Sequence, residues 1–264
     1  MLRLSIALIL LLPGCAAPEP PDEEVRRSSA MAGTRQISRN FPGIRRSAFI
    51  VFSSDEPIGF DFTSAGSSFH WESDSPGKSG ISSGLATALT TDGYLLTAAH
   101  VVRQHCGAVG FVDGRLQPVR CRLVGKGRAA AGEDFAVLHM EGLANYALPL
   151  SRFDPESDAL YAFSLHRRKF PASVDILYGR LLEEQYQSEL KKGIILCDIP
   201  FYAGDSGGGV LTAGGKLIGL NLGWGKRILS ARSYRRVYIP DRERINQMIQ
   251  EDRTRRQNRK DPAG

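Results

Sequence analysis

Three short segments of this 264-residue chain carry side chains that together could make a serine hydroxyl react. Ser206 sits in Gly204-Asp205-Ser206-Gly207-Gly208, His100 ends Leu96-Thr97-Ala98-Ala99-His100, and Asp134 opens Asp134-Phe135-Ala136-Val137-Leu138. A serine hydroxyl is a poor nucleophile at neutral pH. It needs an imidazole to take its proton and a carboxylate to hold that imidazole in one tautomer and stabilise its charged form. The glycines around Ser206 matter as well. Backbone N–H groups can meet a developing oxyanion only where a tight turn points them at one spot, so the N–H groups of Gly204 and Ser206 are the expected donors. Each segment alone also reads as a packed histidine, a helix or strand cap, or an ordinary turn. It is the combination, in the order His, Asp, Ser, that points to acyl transfer.

The elements that must position these groups read as strands. From Arg46 onward, short apolar runs alternate with Gly, Asp and Ser, a pattern of an all-β domain. Leu85 to Leu89 and Tyr94 to Thr97 are joined through Asp92-Gly93, and Val109 to Val112 and Leu116 to Leu123 through Asp113-Gly114, both two-residue hairpin signals. If Asp113-Gly114 is such a turn, Val112 faces Arg115, and continuing the register sets Cys106 opposite Cys121. A disulfide between those two is therefore expected, with Cys197 left as a buried free thiol. Ile245, Met248 and Ile249 recur at helical spacing after Pro240-Asp241 and predict a C-terminal amphipathic helix packing on the second barrel. The five histidines show no His-Glu-x-x-His spacing, so neither a metal nor another cofactor is expected. His70-Trp71 reads as loop.

Thr97-Ala98-Ala99-His100, the Asp134 strand and the Gly204 to Gly208 turn together resemble the trypsin-like (chymotrypsin-fold) serine endopeptidases. Ser83-Gly84-Leu85, Asp92-Gly93 and Ile218-Gly219-Leu220-Asn221 resemble the bacterial Deg-type branch in particular. The resemblance implies an all-β fold of two six-stranded antiparallel β-barrels with the active site between them. His100 and Asp134 would come from the first barrel and Ser206 from the second, with the crossover near Glu141 to Asp158. It implies hydrolysis of protein or peptide substrates through an acyl-enzyme on Ser206. The specificity pocket would be lined by the segment around Pro200 and the strand holding Asn221 and Gly223. Pro200 stands where a protease cutting after Lys or Arg would place a carboxylate, so uncharged side chains are expected there, unless Asp198 reaches the pocket. The chain departs from the family at Gly209, where most members have proline. It also lacks an Ile-Val-Gly-Gly-like start, so activation by zymogen cleavage is not expected. The stretch after the helix is too short for the peptide-binding module that Deg-type proteases carry. The other function class open to such a chain is a catalytically silent, protease-like binding or scaffold protein.

The N-terminus suggests where the chemistry takes place. Arg3 followed by the aliphatic run Leu4 to Leu12 reads as a secretory signal, too short for a bilayer span of about 20 residues. Leu12-Pro13-Gly14-Cys15 resembles a bacterial lipobox, which implies cleavage after residue 14, lipidation of Cys15 and a membrane anchor. Ala16 after the cysteine resembles the pattern of outer-membrane sorting, with the domain facing the periplasm. An ordinary cleaved signal with a soluble product is the alternative. Residues 15–45, rich in Pro, Glu, Ser and Arg, are expected to form a flexible tether to a protease domain over 46–250. Residues 251–264 are expected to be a solvated basic tail. The net charge is +6, or +5 without residues 1–14, since only Arg3 is lost. The excess is scattered and not gathered in an aromatic-rich patch, so no nucleic-acid partner is expected.

Overall fold

A computed structural model of the chain describes residues 23–57, 59–61, 70–72, 80, 82–153, 159–166, 173–187, 192–226 and 233–260. Cys15 and the segment 1–14 read as a secretory signal lie outside them.

Six strands close the first barrel: β1 (Ala48–Ser54), β4 (Ser82–Ala88), β5 (Tyr94–Thr97), β6 (His105–Val112), β7 (Arg115–Lys126) and β8 (Ala136–Met140). Six more close the second: β9 (Ala159–His166), β10 (Ser173–Gln187), β11 (Lys192–Cys197), β12 (Gly209–Thr212), β13 (Leu217–Lys226) and β14 (Ser233–Ile239). Every pairing within the two barrels is antiparallel. The connection from the first barrel to the second lies between Met140 and Ala159, and its described part is 141–153. Between β1 and β4, β2 (Gly59–Asp61) and β3 (His70–Glu72) form a separate hairpin, so His70 and Trp71 belong to a strand and not to a loop.

The Asp113-Gly114 turn does what its dipeptide predicts. Asp113 has φ 48° and Gly114 φ 85°, both in the left-handed region, and Val112 pairs with Arg115. The register then runs without a slip to Cys106 opposite Cys121. The disulfide expected from that register is not formed: both cysteines are free thiols, and the Cys106 Sγ is turned to the Arg103 carbonyl at 3.5 Å. Facing positions bring two Cα atoms within range of a bridge but do not aim the sulfurs at each other. Cys197 is the expected buried thiol, with burial pushing its pKa up to about 12. The β4–β5 connection is longer than two residues. The Leu89 N–H donates to the Tyr94 carbonyl at 2.7 Å, with Gly93 at φ 96°.

Both ends of the domain extend further than composition suggests. The tether expected over 15–45 is helical from Glu23 to Asn40 (α1). The described part packs on the second barrel: Thr34 Oγ1 donates to the Ile176 carbonyl at 3.2 Å and a Cβ on Gly33 would lie 2.7 Å from the Tyr178 ring. Ile37, Phe41 and Ile44 recur at spacings of four and three residues, and Ile37 and Ile44 are each only 1% exposed. Ile37 near the end of α1, with Phe41 and Ile44 just beyond it, docks a segment whose overall composition is polar.

The basic tail expected over 251–264 is likewise helix as far as Lys260 (α2, Arg242–Lys260). Asp241 caps it, accepting from the Glu243 N–H at 2.9 Å. Ile245 and Ile249 are buried as predicted. So is Asp252, which accepts from Tyr94 Oη at 2.9 Å and from both terminal nitrogens of Arg122. Arg253 grips Asp92 through two bonds of 2.8 and 3.0 Å, and Arg256 meets His139. The helix expected to pack on the second barrel, which it follows in sequence, is thus fastened to the first, because its polar partners lie there.

Candidate active site

β5 ends at Thr97, and the chain turns through a short 3₁₀ segment, Ala99–Val101, that projects His100 to the surface. Its Nδ1 lies 2.7 Å from Asp134 Oδ2, and its backbone N–H donates to Asp134 Oδ1 at 3.0 Å. One carboxylate therefore holds both ring and main chain of the same residue, leaving the ring's far nitrogen to act on a neighbour. Burial acts to raise the Asp134 pKa, but the bonds from His100 outweigh it and hold the carboxyl below its ordinary value. The pair is half-exposed, with side-chain accessibilities of 46% and 31%, as a site that must admit a large substrate requires.

The turn bearing Ser206 comes from the second barrel and closes on the first. The Leu85 N–H donates to the Ser206 carbonyl at 2.8 Å, and a Cβ on Gly84 would stand 2.6 Å from that carbonyl oxygen. Gly207, at φ 84°, is pressed against the end of β5: a Cβ there would meet Thr97 Oγ1 at 2.3 Å and the Ala98 nitrogen at 2.8 Å. That places the backbone just after Ser206 against the residue two positions before His100. Gly209 is explained the same way. A Cβ there would be 2.4 Å from Thr87 Oγ1, so proline does not fit this packing. Asn221 closes the turn from β13, its carbonyl accepting from the Gly207 N–H at 2.8 Å and its N–H donating to the Gly208 carbonyl at 2.9 Å.

Asp205 is fully buried and organises the turn from within. It accepts from Ser164 Oγ at 2.8 Å, from the Leu165 N–H at 2.7 Å and from the Tyr202 N–H at 2.8 Å. Gly204, at φ 101°, adopts a conformation that favours glycine. Among the described residues, neither the Gly204 N–H nor the Ser206 N–H has a hydrogen-bond partner, the state required of donors reserved for an oxyanion.

Of the residues expected to line a specificity pocket, Pro200 is exposed, Asn221 is fully buried with its Oδ1 accepting from the Gly223 N–H at 2.8 Å, and Gly223, at φ 111°, borders open space. Asp198, the carboxylate that could have served a basic substrate, turns back to β10 and accepts from the Arg180 N–H at 2.5 Å. Sequence reasoning missed Ser164 and Glu133, and met Gly84 only as part of a resemblance. Ser164 lies 41 positions from its partner, and nothing in its neighbours marks it.

The pairing of two closed barrels around a His–Asp pair and a glycine-rich serine turn has a counterpart among known families. Residues 82–220, more than half the chain, match the family described as trypsin-like peptidase domain, and the chain belongs to that family. Among solved structures it is similar to the crystal structure of the serine endoprotease from Yersinia pestis, at 16% identity and a TM-score of 0.52 over 83% of this chain and 65% of that one. At that identity the likeness is one of fold, and this chain matches about two-thirds of the other protein's length. No curated protein matches the chain.

Proposed function

We propose that this protein is a serine endopeptidase that hydrolyses peptide bonds through an acyl-enzyme on Ser206. The observation that carries the reading is the grip of Asp134 on both the ring and the main chain of His100, at the strand end where the Ser206 turn is packed. Ser206 Oγ adds to the peptide carbonyl carbon as His100 takes its proton. The carbonyl oxygen becomes an oxyanion facing the Gly204 and Ser206 N–H groups, and Asp134 stabilises the imidazolium. Collapse breaks the C–N bond, and the leaving amine takes the proton from His100. A water then attacks the ester with His100 again as base, returning Ser206 and releasing the acid. The pocket near Pro200 and Gly223 accepts uncharged side chains, a reading supported by Asp198 being engaged by the Arg180 N–H on β10, since a desolvated cation would need a carboxylate partner.

The lipobox-like Leu12 to Cys15 supports an anchored enzyme in a bacterial cell envelope. Metabolic labelling with a fatty-acid analogue should mark the wild type and not Cys15→Ser. An unlabelled, wholly soluble wild type would point to the ordinary secretory signal.

A fluorophosphonate probe tests the chemistry. It should label the purified full chain at a single peptide containing Ser206 and leave Ser206→Ala unlabelled. A folded wild type that resists the probe would favour a silent, protease-like scaffold.

A further inference from the structure

The two chain neighbours of Asp134 are held by one guanidinium from the far end of the molecule. Glu133 has only 2% of its side chain exposed and ion-pairs with Arg244 of α2, while also accepting from the Arg128 N–H at 2.8 Å. The same Arg244 lies over the Phe135 ring, 5.6 Å from its centroid. Phe135 is itself buried and stacks on Tyr238 of β14, with centroids 6.2 Å apart and ring planes 13° from parallel. Gly127 completes the clamp: its N–H donates to the Phe135 carbonyl at 2.7 Å, and a Cβ there would stand 2.7 Å from the Glu133 carbonyl oxygen.

We propose that Arg244 is a positioning residue for Asp134: by pairing with Glu133 and stacking on Phe135, it fixes the direction from which the Asp134 carboxylate meets His100. The inference rests on the serine endopeptidase reading above. Two features argue that this contact is more than packing. Arg244 stands in the first turn of α2, where a cation opposes the helix dipole, so its placement answers a tertiary demand and not a helical one. Glu133 is a buried carboxylate beside a second carboxylate that must stay ionised, and such a charge persists only with a partner. The clamp acts on the backbone either side of Asp134 and leaves the carboxylate free to bond His100. It also gives α2 a role in the reaction, because a helix after the second barrel sets a group belonging to the first.

The test measures kcat and KM for a peptide substrate, with reactive sites counted by fluorophosphonate titration so that unfolded protein does not enter the rate. Arg244→Met keeps much of the stem and removes the charge. Glu133→Gln/Arg244→Met also removes the charge of Glu133, which in the single variant would keep Arg128 as its cationic partner at 3.7 Å. Both should lose about 10- to 100-fold in kcat per reactive site with KM unchanged, the cost of a small misplacement in the site. Arg244→Lys, which keeps the ion pair but not the planar stack, should recover most of that loss. A double variant with wild-type kcat per reactive site would overturn the proposal, since Arg244 would then only neutralise Glu133. Failure of the underlying reading looks different: the wild type itself would take no phosphonate label.

Discussion

Ser164 Oγ donates a 2.8 Å hydrogen bond to the carboxylate of Asp205, which is fully buried beside the serine turn. With the N–H groups of Leu165 and Tyr202, it satisfies that carboxylate from inside the second barrel. The turn is thus set without a newly cut amino terminus. Ser164→Ala removes one donor from a buried anion, so it should cost about 1–3 kcal/mol in urea unfolding and lower kcat more than KM. The intact, uncleaved chain should already react with a phosphonate; reaction only after internal cleavage would contradict this account.

Gly84 is required by the approach of the Ser206 carbonyl. An alanine methyl there would sit 2.6 Å from that oxygen and 2.7 Å from Val101 Cγ2, and both lie on the segments that bear Ser206 and His100. Gly84→Ala should therefore reduce kcat by roughly 100-fold, the order expected for a displacement near 1 Å. Steady-state kinetics with a titrated active-site concentration would measure it, and an unchanged kcat would show that the turn is free to shift.

α1 is part of the folded unit. Ile37 is 1% exposed, so Ile37→Ala should destabilise the domain by about 2–5 kcal/mol, as a large-to-small change in a packed core does. A solvated tether would give no change. Chemical denaturation of the two proteins decides between them.

Asp252 makes stability depend on acid. Burial acts to raise its pKa, but the bonds from Arg122 and Tyr94 prevail and hold it below the ordinary 3.8. A depressed carboxyl contributes stability above its unfolded value and loses that contribution as pH falls through its folded value. Asp252→Asn should thus cost about 1–2 kcal/mol at pH 7, Arg122 being half-exposed, and the gap to wild type should narrow once pH falls below 3.8. A gap independent of pH, read from urea midpoints, would mean that the charge on Asp252 contributes nothing.

How far the sequence was legible follows from the range of the interactions. The β6–β7 register could be read because a two-residue turn propagates pairing over seven residue pairs from Val112–Arg115 to Cys106–Cys121. The contact between His100 and Asp134 was legible because an imidazole that acts as a base needs a carboxylate to orient it. The disulfide failed at the step from facing backbone positions to side-chain aim, which Cα register does not contain. α1 was missed because, among its residues whose burial is described, Ile37 alone is buried, and composition averages it away. The C-terminal extension of α2 was read as tail because the partners that order it, Tyr94, Asp92, Arg122 and His139, lie more than a hundred residues upstream. Ser164 and Arg244 escaped for the same reason: each is explained only by a partner that folding brings to it.

The central claim is that Ser206 is the nucleophile of an active peptidase. It is tested most directly by cleavage of an unfolded protein substrate by wild type and Ser206→Ala at equal concentration, with the new termini identified by mass spectrometry. Loss of the nucleophile from such a unit costs about 10⁶ in kcat, so the variant should show no detectable cleavage while keeping the wild-type unfolding midpoint. Cleavage by Ser206→Ala at the wild-type rate would contradict the account.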